Sequence, residues 1–230
     1  MKRFYEKVEA ADGEILLDGR PVRTPLRAPL KLPNIALAEA VAEEWRAQRE
    51  SIDPWTMPLT GLANAAIDRV SDEPTEYAAS LSAYAENELL CYRANEPPEL
   101  AARQEAVWGP ILAWARQRYD VGFTLVAGIM HQPQPPETLK RLGNAILARD
   151  AFALAALSPL VTISGSLVIA LALAEQALEP NAAFDAAQLD ELWQAELWGE
   201  DDLATTARAA RHSDFLAAAR FLELLREPPA

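Results

Sequence analysis

An uncharged run of 24 residues, 151–174, constrains the fold more than any other feature of the sequence. A run of this length could in principle form a membrane-spanning helix. A serine followed by proline is typical of a helix start, so Ser158 and Pro159 predict two helices within the run. The ~15 residues after Pro159 would rise only about 22 Å, against a hydrocarbon core of about 30 Å. We therefore predict a buried central helix of a bundle, and we keep a membrane-associated protein as an alternative.

The first 34 residues have the pattern of β-structure. Asp12-Gly13 and Asp18-Gly19 each lie between strand-like segments, and an Asp-Gly pair is a strong signal for a two-residue hairpin turn. Prolines then recur every fourth residue, at Pro21, Pro25, Pro29 and Pro33. Proline donates no backbone hydrogen bond, so these positions favour edge strands or extended connections. A small antiparallel sheet is predicted here.

Almost all of the chain after Asn34 has a helical pattern. Asn34 is a candidate N-cap, and Leu37, Val41 and Trp45 follow at a spacing of four along one helical stripe, which predicts a structural role for Trp45. Further helices are predicted around 56–69, 74–89, 98–119, 136–157, 159–178, 182–198 and 200–226. The alternating segment 121–125 is a candidate for one late strand. The predicted fold class is α+β, with an N-terminal β-rich domain at 1–70 that includes one or two helices and a larger all-helical domain at 71–230.

The charge distribution bears on partners and on the compartment. The net charge of −13 argues against a nucleic-acid partner, because lysine and arginine must neutralise phosphates in such complexes. No lysine or arginine occurs between Arg149 and Arg208, a stretch that holds ten carboxylates, which form either a solvated acidic face or a guide for a basic patch on a partner protein. The single cysteine, Cys91, gives no sign of an oxidising compartment, so we expect a reducing one.

The usual catalytic and ligand-binding patterns are missing from the sequence. His131 and His212 have no metal-ligand spacing, and no glycine-rich phosphate loop occurs, so we expect no catalytic residue, no metal, no cofactor and no nucleotide. Ser164 and Ser166 lack the flanking glycines of a nucleophile elbow. A hydrolase that uses one of these serines with a histidine remains the alternative function.

One predicted helix carries an acid, an amide and an aromatic residue on the same face. Glu191, Gln194 and Trp198 follow a spacing of i, i+3 and i+7. Such a face is typical of an interaction surface. In the alternative interpretation Trp198 staples the end of the helix to the bundle and Gly199 acts as its C-cap.

Several strings occur in an order that characterises one family. They are Leu17 to Pro25 (LDGRPVRTP), Ala40 to Trp45 (AVAEEW) with Gln48, Met57 to Thr60 (MPLT) with Asn64 and Asp68, Cys91-Tyr92-Arg93, Trp108-Gly109-Pro110 with Trp114, and Glu191-x-x-Gln194-x-x-x-Trp198-Gly199. The chain resembles the ATP synthase assembly chaperones that act on the alpha subunit of the catalytic head. The similarity covers nearly the whole chain. Gly61 and Ala65 depart from the family pattern, in which arginine and threonine are common at these positions.

The resemblance implies a β-rich domain followed by a helical domain, no catalytic activity, and an ATP synthase alpha subunit as partner, with no membrane insertion. It implies a bacterial cytoplasmic protein, or a mature form in the mitochondrial matrix, because mitochondrial members carry a presequence that is absent here. The shared Glu/Gln/Trp string and the acidic run after it predict the partner-binding residues Glu191, Gln194, Trp198, Glu200 and Asp201.

Overall fold

A computed structural model of the chain describes residues 1–128 and 130–226. The chain forms two compact units. The N-terminal unit contains Met1–Pro74, Asp150–Ala156 and the described residues from Ala217 onward. The helical unit contains Thr75–Arg149 and Leu157–Leu216. The division at residues 70 and 71 stays a prediction, and residues 129 and 227–230 of the predicted helical domain lie outside the described residues.

The sheet of the N-terminal unit contains three antiparallel strands, β1 (Val8–Ala11), β2 (Glu14–Leu17) and β3 (Arg20–Pro21). Val8 pairs with Leu17 and Leu17 pairs with Arg20. Both residues of each Asp-Gly pair have positive φ, as a type I′ hairpin turn requires, so the two predicted hairpins are confirmed. Helix α1 (Ile35–Ala47) packs on this sheet, and Asn34 caps it by accepting a hydrogen bond from the backbone N–H of Leu37.

The rest of the N-terminal unit is short and irregular helix. A 3-10 turn (Pro54–Thr56) precedes α2 (Pro58–Ala65), which continues into a π-helical turn (Ala66–Val70). The two oxygens of the Glu44 carboxylate accept hydrogen bonds from the backbone N–H groups of Leu59 and Thr60, at 2.7 Å each, and so cap α2. A small apolar cluster of Tyr5, Leu17, Ile52 and Met57 lies between these elements, and Trp45 packs against it half-buried.

The helical unit contains most of the remaining elements. They are α3 (Pro74–Ser82), α4 (Pro98–Tyr119), α5 (Pro136–Leu147), α6 (Ala151–Ser164), α7 (Leu167–Ala174), α8 (Pro180–Ala187), α9 (Leu189–Trp198) and α10 (Asp202–Leu225), with α3, α6 and α10 extending partly into the N-terminal unit. Two 3-10 turns, Ala83–Ala85 and Leu89–Cys91, follow α3. All eight residues of α7 are buried, which confirms a central buried helix. In the described ranges no helix is long and apolar enough to cross a membrane.

The predicted break at Pro159 is wrong. Helix α6 continues through Pro159 to Ser164, and the chain breaks at Gly165, which has a φ of +66°. Ser166 then caps α7 by accepting a hydrogen bond from the N–H of Ile169 at 2.9 Å. The uncharged run therefore does form two helices, but the second begins at Leu167, eight residues beyond its predicted start at Pro159.

The late strand is also displaced from its predicted position. Residues 121–125 form no strand, because the side chain of Gln134 pairs with both the N–H and the C=O of Thr124 and takes the place of a neighbouring strand. The short strand β5 (Val126–Ala127) follows this segment and pairs in parallel with β4 (Tyr92–Arg93). The predicted helix at 182–198 is likewise two helices, α8 and α9, which meet at Gln188.

Candidate functional site

The predicted partner-binding residues lie on α9 and at the start of α10. Helix α9 begins at the buried Leu189 and ends at Trp198, after which Gly199, at a φ of +90°, donates its N–H to the carbonyl of Ala195. Asp201 then starts α10, because its carboxylate accepts a hydrogen bond from the N–H of Ala204 at 2.9 Å. The five residues thus belong to one continuous segment.

Two of the five residues hold this segment together. The carboxylate of Glu191 accepts hydrogen bonds from Arg208 at 3.3 Å and from Arg211 at 2.7 Å. Arg208 also donates to Glu200 at 2.9 Å, so one largely buried guanidinium joins Glu191 to Glu200. These contacts fix the N-terminal part of α10 beside α9.

The other polar and aromatic groups of the predicted face lie in solvent. Gln194 is exposed, and the side chain of Trp198 is 78% exposed. The interpretation in which Trp198 staples the helix to the bundle is therefore wrong, although Gly199 does end the helix as that interpretation required. An indole this exposed is free to bind another molecule.

Two further apolar residues near Trp198 were not predicted from the sequence. Leu197 is 56% exposed and Leu203 is 81% exposed. The signal was present, because Leu203 is a lone leucine in the polar first turn of α10 and Leu197 follows Gln194 at a spacing of three. Together the exposed and acidic side chains form what we call the α9 surface, defined by Glu191, Gln194, Leu197, Trp198, Glu200, Asp201 and Leu203.

The carboxylates around this surface are largely paired within the chain. Arg103 on α4 donates two hydrogen bonds to Glu196, at 2.6 and 2.8 Å, and these bonds lower the pKa of the Glu196 carboxyl. Asp190 accepts a hydrogen bond from Gln104 at 2.8 Å. Arginines from outside the acidic stretch thus pair with several of its carboxylates, and the apolar side chains of this surface stay exposed.

The hydrolase alternative fails on the positions of its serines. Ser164 and Ser166 are buried, and their hydroxyls bind the backbone, with Ser164 donating to the carbonyl of Leu160 and Ser166 capping α7. In the described part of the chain, the ring nitrogens of His131 contact Tyr92 and Glu86, and His212 contacts Asn181. No serine–histidine pair of the kind that activates a nucleophile is formed by these residues.

A buried carboxylate next to these serines also has a structural role. Glu88 is fully buried, and its two oxygens accept hydrogen bonds from the N–H groups of Leu90 at 3.3 Å and Val168 at 3.1 Å. The second bond caps the N-terminus of α7. Burial raises the pKa of Glu88 to about 7. Across the described residues, no group of three or more histidine, cysteine or carboxylate side chains could hold a metal ion.

Comparison with known proteins gives the family. The family model of the ATP12 chaperone protein matches residues 2–116. The crystal structure of Atp12 from Paracoccus denitrificans is 38% identical, with a TM-score of 0.92 over 98% of both chains. The chain belongs to the ATP12 chaperone family. The resemblance to the ATP synthase assembly chaperones is thereby confirmed.

Other ATP12-like proteins come from bacteria and from a eukaryote. The Atu1473 protein from Agrobacterium tumefaciens is 42% identical, with a TM-score of 0.94 over 98% of this chain and 86% of that one. The mitochondrial protein atp12 of Schizosaccharomyces pombe is 24% identical over an alignment of 214 residues, and the match covers 86% of this chain and 74% of the yeast protein. The ATP12 fold is therefore shared along nearly the whole chain.

The ATP12 family model ends before the α9 surface. Its match stops at residue 116, within α4, whereas the similarity to the Paracoccus structure includes the helices that follow. Membership makes the chain a chaperone of ATP synthase assembly. The residues that contact the partner stay a prediction.

Proposed function

We propose that this chaperone binds the ATP synthase alpha subunit through the α9 surface and shields the subunit until beta arrives. The observation that carries the proposal is the exposed indole of Trp198, which lies next to Leu197 and is followed by Leu203. Exposed aromatic and aliphatic side chains inside a polar rim are typical of protein-binding surfaces. The compartment we propose is the bacterial cytoplasm or the mitochondrial matrix.

The proposal assigns different roles to the five predicted residues. Trp198 and Gln194 contact the alpha subunit, because their side chains are exposed. Glu191 and Glu200 position the surface through Arg208, and Asp201 fixes the start of α10. A surface of this kind suits temporary protection, because a few apolar side chains inside a polar rim can bind specifically without the large hydrophobic interface of a permanent complex.

The experiment compares two exposed tryptophans. Trp198→Ala should weaken the binding of isolated alpha subunit by about tenfold or more, because truncation of an aromatic anchor commonly costs 2 kcal/mol or more. Trp55→Ala is the matched control, since Trp55 is 94% exposed in the N-terminal unit and outside the α9 surface. Both variants should retain the wild-type melting temperature. Affinity is measured by titration of labelled alpha subunit.

Two outcomes would contradict the proposal. If wild-type protein does not bind isolated alpha subunit, the partner is wrong. If Trp198→Ala and Trp55→Ala both bind with wild-type affinity, the partner stands and the α9 surface does not contact it.

A further inference from the structure

A groove in the N-terminal unit has no role in the function proposed so far. Its volume is about 670 Å³, and it opens between the start of the chain, the β2–β3 hairpin and α1. Aromatic and aliphatic side chains form most of its wall, namely Phe4, Tyr5, Leu17, Pro21, Val22 and Trp45. A groove of this size could take one or two side chains of another protein.

The wall of the groove is held rigidly. The hydroxyl of Tyr5 donates a hydrogen bond to the carbonyl of Trp45 at 2.7 Å, and the two rings lie 5.8 Å apart. Arg3 fixes the N-terminal segment by donating to the carbonyls of Tyr5 and Gln48. Phe4, in contrast, is 65% exposed and touches the edge of the Tyr5 ring. The groove is therefore preformed, with one apolar side chain at its mouth.

Two arginines that line the groove have no carboxylate partner among the described residues. The side chain of Arg23 donates to the carbonyl of Arg27 at 2.9 Å, and the side chain of Arg20 forms no hydrogen bond or ion pair in the ranges 1–128 and 130–226. Asp18 also lines the groove and stays ionised, because hydrogen bonds from the N–H groups of Lys7 and Glu6 lower the pKa of its carboxyl, so the two arginines leave an excess of one positive charge there. Both arginines are thus free to bind an external carboxylate.

The charge of this region also contrasts with that of the whole chain. Residues 1–34 hold seven basic and five acidic side chains, although the net charge of the protein is −13. A solubility role for charge does not account for a locally basic region in an acidic protein. Apolar walls beside unpaired arginines are complementary to an apolar side chain flanked by carboxylates.

We propose that this basic groove, defined by Phe4, Tyr5, Arg20, Arg23 and Trp45, is a second client-binding site that takes an acidic segment with an exposed apolar side chain. The inference rests on the proposed function, since the client is the alpha subunit. The α9 surface offers exposed apolar side chains beside paired carboxylates, whereas the groove offers arginines without a carboxylate partner in the described residues, so the two sites bind different parts of the client. Two weak contacts on one chaperone raise its overall affinity while each can be released separately.

The test reverses the two charges. Arg20→Glu combined with Arg23→Glu should weaken the binding of isolated alpha subunit by about tenfold or more, because the new carboxylates repel the acidic segment. Lys31→Glu combined with Arg69→Glu is the matched control, since both residues are exposed in the N-terminal unit, do not line the groove, and give the same change of net charge. The change of net charge is therefore equal in the two double variants. The difference between them should shrink at high salt.

A second pair of variants tests the apolar part of the groove. Phe4→Ala should weaken binding by about fivefold or more, whereas Leu26→Ala, which removes an exposed leucine outside the groove, should not. This pair keeps the inference testable if the double charge reversal does not fold.

The outcomes separate the inference from the proposed function. If wild-type protein does not bind alpha subunit, both are overturned. If wild-type protein binds but the groove variants behave as their controls do, only the inference fails. If sedimentation finds a concentration-dependent dimer that the groove variants abolish while alpha binding is retained, a second copy of the chain occupies the groove and the inference is overturned.

Discussion

Two surfaces of this protein use their charges in different ways. On the α9 surface and beside it, Glu191, Glu196 and Glu200 bind arginines of the same chain. Beside the basic groove, Arg20 and Arg23 have no carboxylate partner within the described residues. The surface that is most acidic in sequence thus uses its charges for internal structure, and the basic surface leaves them free.

The difference shows why the charge of a segment alone is a weak guide to its partners. A paired carboxylate positions other side chains, and little of its charge is left to attract a partner. On the α9 surface, the apolar groups left exposed are Leu197, Trp198 and Leu203. In the groove they are two cations above an apolar wall. Substitutions in the two units should therefore have different effects on stability.

The largest expected effect on stability depends on pH and comes from a buried carboxyl in the helical unit. Glu44 in the N-terminal unit and Glu88 in the helical unit both cap a helix, and burial raises the pKa of both, in the case of Glu88 to about 7. The folded-state pKa of Glu88 lies above its ordinary value of 4.5. Between pH 4.5 and 7, the folded chain therefore binds one more proton than the unfolded chain. The contribution of Glu88 to the free energy of unfolding is fully present below pH 4.5. It falls by about 3 kcal/mol as the pH rises through 7.

The measurement is urea unfolding of wild type and Glu88→Gln from pH 4.5 to 8. The free energy of unfolding of wild type minus that of Glu88→Gln should fall as the pH rises through 7 and level off towards pH 8. The nearby thiol of Cys91 does not interfere, because burial raises its pKa to about 12. Parallel curves for the two proteins would show that Glu88 does not titrate in this range.

The second prediction compares a paired charge with a free one. Glu191→Lys should lower the free energy of unfolding by about 2 kcal/mol, because it places a third cation beside Arg208 and Arg211. Arg20→Glu should change it by less than about 0.5 kcal/mol, since Arg20 is exposed and has no partner in the described chain. Both values come from chemical denaturation.

Glu191→Gln is the control for the first of these variants. It retains the shape of the side chain and one acceptor oxygen, so its loss of stability should be smaller than that of Glu191→Lys. Equal stability of Glu191→Lys and wild type would mean that the ion pairs do not fix α10, and that Glu191 is available to the client.

The parts of the fold that could be predicted depend on local signals. An Asp-Gly pair sets its own backbone conformation, and an asparagine caps the helix that follows it, so both hairpins and the start of α1 are readable from the sequence. The break between α6 and α7 is different. Gly165 and the Ser166 cap are local signals for it, but it also involves Glu88, a residue 80 positions from Val168, whose carboxylate stabilises the N-terminus of α7. Sequence analysis detects a proline easily, whereas it cannot detect a capping residue that is far away in the chain, and the helix boundary is therefore predicted at Pro159.

The same distinction applies to the candidate site. The spacing of Glu191, Gln194 and Trp198 shows which residues share a helix face, and Gly199 shows where the helix ends. The sequence could not show that Arg208 and Arg211 pair with Glu191, or that Arg103 pairs with Glu196 across 93 residues. Those pairs depend on how helices far apart in sequence pack together.

The smallest expected effect contrasts one glycine from each unit. Gly61 is exposed in α2, and a Cβ there would meet nothing within 4 Å, so Gly61→Ala should raise the free energy of unfolding by about 0.5 to 1 kcal/mol through a lower entropy of the unfolded chain. Gly199 also has open space, but its φ of +90° is unfavourable for alanine, and Gly199→Ala should cost about 1 kcal/mol. Thermal and urea unfolding of both variants measure whether each change raises or lowers the free energy of unfolding.

Because Gly61 lies outside the basic groove, Gly61→Ala should also leave the binding of the alpha subunit unchanged. A loss of binding in this variant would extend the client contact from the groove onto α2, and a gain of stability in Gly199→Ala would show that α9 ends differently in solution.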